Sequence, residues 1–159
     1  RKAGRNYNVD FNDPYSKLAG AKYAARTGPS YTGALKISST SIPGVSGADF
    51  TGDWGVDFNA LEDSATNYIS IEFYDVAGDT TTITDAFFVK KDTTPPAYLN
   101  NEAGGDMNWR KAARIPDYNV DFTDNGSKLA GAKYAARTSA GGNPPVKIAS
   151  TTIPGVAGA

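Results

Sequence analysis

Apolar and polar residues alternate along short stretches of this chain. In Tyr7-Asn8-Val9-Asp10-Phe11 the apolar side chains take every second position, as a strand with one buried face requires. Trp54-Gly55-Val56-Asp57-Phe58 alternates in the same way. In Asn67–Tyr74, residues Ile69, Ile71 and Phe73 are expected to face inward, and Tyr68, Ser70 and Glu72 outward. A further strand begins near Thr81 and ends through Ala86–Val89. Lys17–Thr27 is Ala-rich and could read as a helix, but Gly20 interrupts it and the surrounding pattern is β, so a strand is expected. Lys36–Ile42 is a Ser/Thr-rich strand closed by Pro43-Gly44. Turn residues separate these segments at Asn12-Asp13-Pro14, Gly28-Pro29, Ala77-Gly78-Asp79 and Asn125-Gly126. Short strands between such turns predict an all-β sandwich.

The pattern then returns. Tyr7–Ala48 and Tyr118–Ala159 align without a gap at a constant offset of 111 residues, with 28 of 42 positions identical. YNVDF, SKLAGAKYAART and IPGV recur in order, and the RKA at Arg1 returns at Arg110 after a two-residue slip. A period this long suits a whole domain copied in tandem rather than a solenoid turn. The 159 residues hold only about 1.4 such periods, so the chain reads as a window on a longer array, with any targeting segments outside it.

Asp92-Thr93-Thr94-Pro95-Pro96 is the expected joint. Two prolines remove two backbone donors and favour an extended, stiff path, so a sheet should end there. This divides the chain into a first repeat over 1–92 lacking its first strand, a linker over 93–96, and the N-terminal part of the next repeat over 97–159.

Composition narrows the chemistry. The chain has 16 basic and 17 acidic residues, a net charge of −1, and neither His nor Cys. That balance gives no electrostatic case for nucleic acid or an anionic membrane. Disulfides, thiolate nucleophiles and thiolate metal sites are excluded, and the commonest general base is missing. No apolar run approaches the ~20 residues of a membrane-spanning helix. Carboxylate pairs could serve a glycosidase, but Asp10, Asp57 and the Glu62-Asp63 pair read as solvated surface acids. No catalytic residue is proposed and the chain is read as a non-enzyme.

Asn67–Asp79, followed by Phe88-Val89-Lys90-Lys91-Asp92-Thr93-Thr94-Pro95-Pro96, resembles the last two strands of bacterial immunoglobulin-like repeats. In that family an aromatic-Asp-x-Ala-Gly-Asn turn joins the final hairpin, and a Val-Asp-x-Thr-x-Pro segment leads into the next unit. Here Asp79 stands at the Asn position, and Lys91 adds charge beside the linker Asp. The resemblance covers Asn67–Pro96 and implies tandem immunoglobulin-like β-sandwiches of period 111, both incomplete in this window. Such repeats build stalks of large adhesins, so the implied role is a structural spacer or assembly unit of an extracellular bacterial surface stalk or filament. Its implied partners are neighbouring repeats. In a filament other copies could supply the missing strands, and the alternative is that the boundaries of the window are arbitrary.

The resemblance also implies calcium at the joints, where hard oxygen ligands gather. Asp92 would approach Asp124 and Asn125 of the second repeat, while Asp13, Asp75 and Asp79 would form the matching acidic pole of the first. Asp and Asn are equally ordinary turn residues. Trp54, Phe58, Phe73 and Phe88 are expected in the core. Tyr68 and Tyr74 fall on the opposite face, where they could meet a sugar or a neighbour. The alternative function is therefore a carbohydrate- or protein-binding adhesin module, its specificity carried by loops that differ between the copies, Gly28–Leu35 and Ser139–Val146.

Overall fold

A computed structural model describes residues 3–141 and 144–158. Arg1 and Lys2 of the first RKA, Gly142-Asn143 of the second variable loop, and Ala159 lie outside the described residues. The described chain is all-β, with twelve strands in small antiparallel sheets and no helix. It divides into two units between Thr94 and Pro95.

Unit 1 begins with two short strands, β1 (Asn6–Tyr7) and β2 (Phe11–Asn12). β3 (Leu18–Arg26) and β4 (Leu35–Ile42) follow, then β5 (Asp49–Phe50), β6 (Trp54–Gly55), β7 (Ala65–Asp75) and β8 (Thr80–Lys91). The strand expected at Tyr7–Phe11 is thus broken in its middle. Both halves nevertheless pair with 49–55 in one register, Tyr7 opposite Trp54 and Phe11 opposite Phe50, and form one interrupted ribbon.

The four-stranded sheet has the order β4-β3-β7-β8. The Ala-rich segment is a strand because it is the sheet's interior: Ala21 and Ala25 are buried between β4 and β7, where small side chains let the facing layer approach. The ribbon lies across this sheet through rings. Tyr7 stacks on Phe87 at 4.4 Å between centroids, Phe11 meets Phe73 at 5.1 Å, and Trp54 meets Tyr23 at 5.3 Å. Ile69 and Ile71 are fully buried beneath them, each worth roughly 1.5–3 kcal/mol relative to exposure. Trp54 Nε1 is buried without a hydrogen-bond partner among the described residues, and the indole packs against the rings of Tyr23 and Phe87.

One expected core residue is corrected. Phe88 is exposed and Phe87 is the ring that packs inward. Phe88 pairs with outward-facing Tyr68, whereas Phe87 pairs with buried Ile69. In an antiparallel pair, opposed residues share a face. β8 also bulges opposite Ser70, with Asp85 at φ 50° and its amide donating to Ser70 Oγ at 3.0 Å.

Unit 2 contains β9 (Ala97–Asn100) paired with β10 (Val120–Thr123), and β11 (Ala132–Arg137) paired with β12 (Val146–Ile153). Each β11–β12 pair is a β3–β4 pair advanced by 111: Tyr134 faces Thr151 as Tyr23 faces Thr40, and both ladders carry the same irregularity after the tyrosine. Lys17 and Lys128 share left-handed φ values of 70° and 73°. The Arg26 and Arg137 guanidinia donate to the carbonyls of Gly33 and Pro144, again 111 apart.

Candidate functional site

Asp13, Asp75 and Asp79 surround a small pocket at one end of unit 1, with Asn12, Leu18 and Tyr74 in its wall. The Asn12–Pro14 turn and the β7–β8 hairpin bring them together. Asp13 accepts from the Tyr15 amide at 3.0 Å and the Ser16 hydroxyl at 2.7 Å. The same hydroxyl lies against Asp75 Oδ2, while Asp75 Oδ1 accepts from the Asp79 amide at 2.7 Å. The Ser16 hydroxyl, then the turn amides, hold the Asp75 carboxyl below its ordinary range.

Asp92 belongs to unit 1 but to its other end. It follows β8, whose Lys91 pairs with Ala65 at the start of β7, a full strand length (roughly 30 Å) from the Asp75–Asp79 turn. Asp124 lies in unit 2 and repeats the Asp13 arrangement, accepting from the Gly126 and Ser127 amides and the Ser127 hydroxyl. Asn125 is exposed beside it. Among the described residues no three acidic side chains converge closely enough to hold a metal ion. The carboxylates of Asp13, Asp75 and Asp124 face protein donors.

The end of unit 1 that leads into Pro95-Pro96 holds an arrangement the sequence pattern missed. Asp63 Oδ1 accepts from both the amide and the hydroxyl of Thr93, at 2.7 and 2.8 Å, and Oδ2 accepts from the Thr94 hydroxyl at 2.8 Å. Asp92 Oδ1 takes the Thr94 amide at 3.1 Å. The threonine hydroxyls keep the Asp63 carboxyl below its usual range, Thr94 foremost. Lys91 fastens the loop from beneath, donating to the carbonyls of Asn59 and Leu61 with its ammonium over the Phe58 ring. Asn67, fully buried, accepts from the Glu62 amide and donates to the carbonyls of Glu62 and Val89. Glu62 also pairs with Lys36. The reading of Glu62-Asp63 as merely solvated acids is therefore corrected: both tie a loop to the body of the unit. Asn67 was detectable, because a polar residue in phase with Ile69 and Ile71 demands buried partners.

Two other surfaces carry polar side chains. The outward face of the sheet bears a shallow groove lined by Lys22, Tyr31, Ser39, Ser70, Glu72 and Thr82, into which the variable Gly28–Leu35 loop brings Tyr31. Tyr68 and Tyr74 are half-buried: Tyr68 against Phe88, and Tyr74 beneath the Lys22 ammonium. In unit 2, Asp106 is gripped by Arg110 and Tyr118, and Glu102 pairs with Arg114. Among the described residues no helix is long and apolar enough to cross a membrane. Comparison with protein families, with curated proteins and with solved structures finds no match to this chain.

Proposed function

We propose that the chain is part of a tandem array of immunoglobulin-like modules that serves as a structural spacer or assembly unit in an extracellular bacterial surface stalk or filament. The observation that carries this reading is the recurrence of one ladder, irregularity included, at a spacing of 111 residues. Strand pairing supports the sandwich assignment. Combining the pairings of both units, one repeat has a β9-type strand, the β1–β2 strand and the β5–β6 strand in one layer, and β4-β3-β7-β8 in the other. Seven strands in two antiparallel layers would fit an immunoglobulin-like architecture with its fourth strand beside the third.

The clamp on Thr93 and Thr94 supports a mechanical role. A linker fastened to the module it leaves, then stiffened by two prolines, transmits direction from one module to the next. Calcium enters the proposal as a ligand of the joint rather than of one module. The single proton of Ser16 Oγ can serve only one of the two carboxylates beside it at a time, and a cation with oxygens from a neighbouring linker would relieve the other.

Stretching a chain of several repeats tests the proposal. Each module should unfold as a separate event that releases about 111 residues of chain, a gain of roughly 350 Å in contour length. A single cooperative event, or release in unequal pieces, would reject the tandem reading. Chelation should make the same chain more compact or more protease-sensitive at Asp92–Pro96; no change would remove calcium alone. The second reading, a binding module, is favoured by the polar groove under Tyr31, and a glycan array with one complete repeat distinguishes it, since a spacer should bind nothing.

A further inference from the structure

All four strands of the β4-β3-β7-β8 sheet lie within unit 1, and a groove opens on the sheet's outward face. Small side chains line it where Ala24 of β3 pairs with Ser70 of β7, with Ser39 of β4 beside them. Lys22, Glu72 and Thr82 make one cross-strand row along it, and Tyr31, about half exposed, adds an aromatic surface. Among the described residues the Glu72 carboxylate and the hydroxyls of Tyr31, Ser39 and Thr82 have no hydrogen-bond or ion-pair partner. Lys22 sits directly opposite Glu72, yet its ammonium lies over the Tyr74 ring at 5.5 Å.

The loop that supplies Tyr31 is held in place. Ser30 and Tyr31 take left-handed φ values of 52° and 62°, as does Asp85 on the facing bulge at 50°. The Ser30 amide donates to Asp85 Oδ2 at 2.6 Å, Thr32 Oγ1 to the Pro29 carbonyl at 2.6 Å, and the Ala34 amide to Thr27 Oγ1 at 2.9 Å. Non-glycine residues persist in this region only where their surroundings fix them, and they gather at binding sites. The other copy cannot build the same loop, because Ser139 and Pro144 replace Gly28 and Gly33. A Cβ at Gly28 would lie 2.5 Å from Thr32 Oγ1 and 3.0 Å from the Gly33 nitrogen. Gly33 has φ 71°, whereas proline holds φ near −65°. Tyr31 has Gly142 as its counterpart, so one ladder carries two different loops.

We propose that this groove binds one neutral pyranose unit of a glycan. The inference rests on the second reading above, the binding module, and gives that reading a site and a ligand class. The polar groups match a sugar: the Glu72 carboxylate accepts from two neighbouring ring hydroxyls, and the Lys22 ammonium and the Ser39 and Thr82 hydroxyls donate to others. Tyr31 offers an apolar ring to the sugar's C–H face and a hydroxyl at its rim. A carboxylate without an ion-pair partner repels uronic and other acidic sugars. With about 160 Å³ the groove falls short of the roughly 300–1,000 Å³ of larger ligand sites, so it takes a single ring.

Nuclear magnetic resonance titration of the full chain tests it, with the methyl glycosides of glucose, galactose and mannose as probes and glucuronate as the charged comparison. At least one neutral glycoside should shift the Ala24, Ser70 and Glu72 amides saturably, and glucuronate should bind about tenfold more weakly. Tyr31→Ala should weaken the neutral glycoside about tenfold while amides remote from the loop keep their positions. Glu72→Gln should erase the discrimination against glucuronate. A glycan array probed with the full chain separates this site from the reading beneath it. Glycan binding that survives Tyr31→Ala unchanged would overturn the site and leave the binding module standing. No glycan binding in either format would overturn the site and the carbohydrate form of that reading together. Shifts of the same amides by Nα-acetyl-lysine amide, with none by any glycoside, would assign the groove to a cationic peptide and so overturn the proposal.

Discussion

The hydroxyl of Tyr74 lies 2.4 Å from the point where a Cβ on Gly20 would sit. The ring therefore occupies the volume a side chain would fill on the neighbouring strand. Gly20→Ala should cost about 1–3 kcal/mol by forcing the ring aside. In a Tyr74→Ala background the same substitution should cost little or nothing. Urea denaturation of the four variants completes the cycle, and additive costs would show that the contact does not set the requirement for glycine.

Asp63 concentrates three linker donors on one carboxylate, so its removal should free Thr93 and Thr94 while leaving the sheet intact. Asp63→Ala should raise the exchange rate of the Thr93 amide tenfold or more. It should also open the chain around Thr93-Thr94 to proteolysis, with the β7 amides unaffected. A rise in exchange throughout unit 1 would mean that Asp63 holds the fold rather than the exit of the linker.

Asn67 should behave differently, because its side chain is fully buried and its partners are backbone groups. Asn67→Ala leaves the Glu62 amide and the Glu62 and Val89 carbonyls short of a partner, at a cost of about 2–4 kcal/mol. Asn67→Asp retains the acceptor but loses both donations and buries a charge, so thermal melts at neutral pH should rank it below Asn67→Ala.

Alternation and turn chemistry made most of unit 1 readable before its structure. Ile69 and Ile71 had one possible orientation, and Gly20 argued against a helix in an otherwise Ala-rich stretch. Phe88 went astray because two adjacent phenylalanines give alternation no preference; the pairing with Tyr68 across the hairpin decides, and pairing is not a local property. The Asp63 clamp spans about thirty residues and has no period, so nothing in the chain flags it. The acidic pole was legible as Asp-rich turns. Whether such turns gather oxygens around a cation depends on side-chain geometry, and Ser16 shows how a hydroxyl can take up the same acceptors.

Acid should loosen unit 2 at a defined place. Arg110 above all, then the Asn108 amide and Tyr118, hold the Asp106 carboxyl at about 2 against an ordinary value of 3.8. A carboxyl depressed on folding lends stability that is complete above its unfolded value and disappears as pH falls through the folded one. The contribution should therefore persist down to about pH 4 and vanish between there and about pH 2. Arg110 remains charged throughout, so the loss comes from the acid alone. Exchange of the Asn108 amide, corrected for its intrinsic pH dependence, should rise across that window in the native chain. In Asp106→Asn it should already be raised at pH 5 and change little below it. A native profile flat between pH 4 and pH 2 would mean that the Asp106–Arg110 grip does not order the segment.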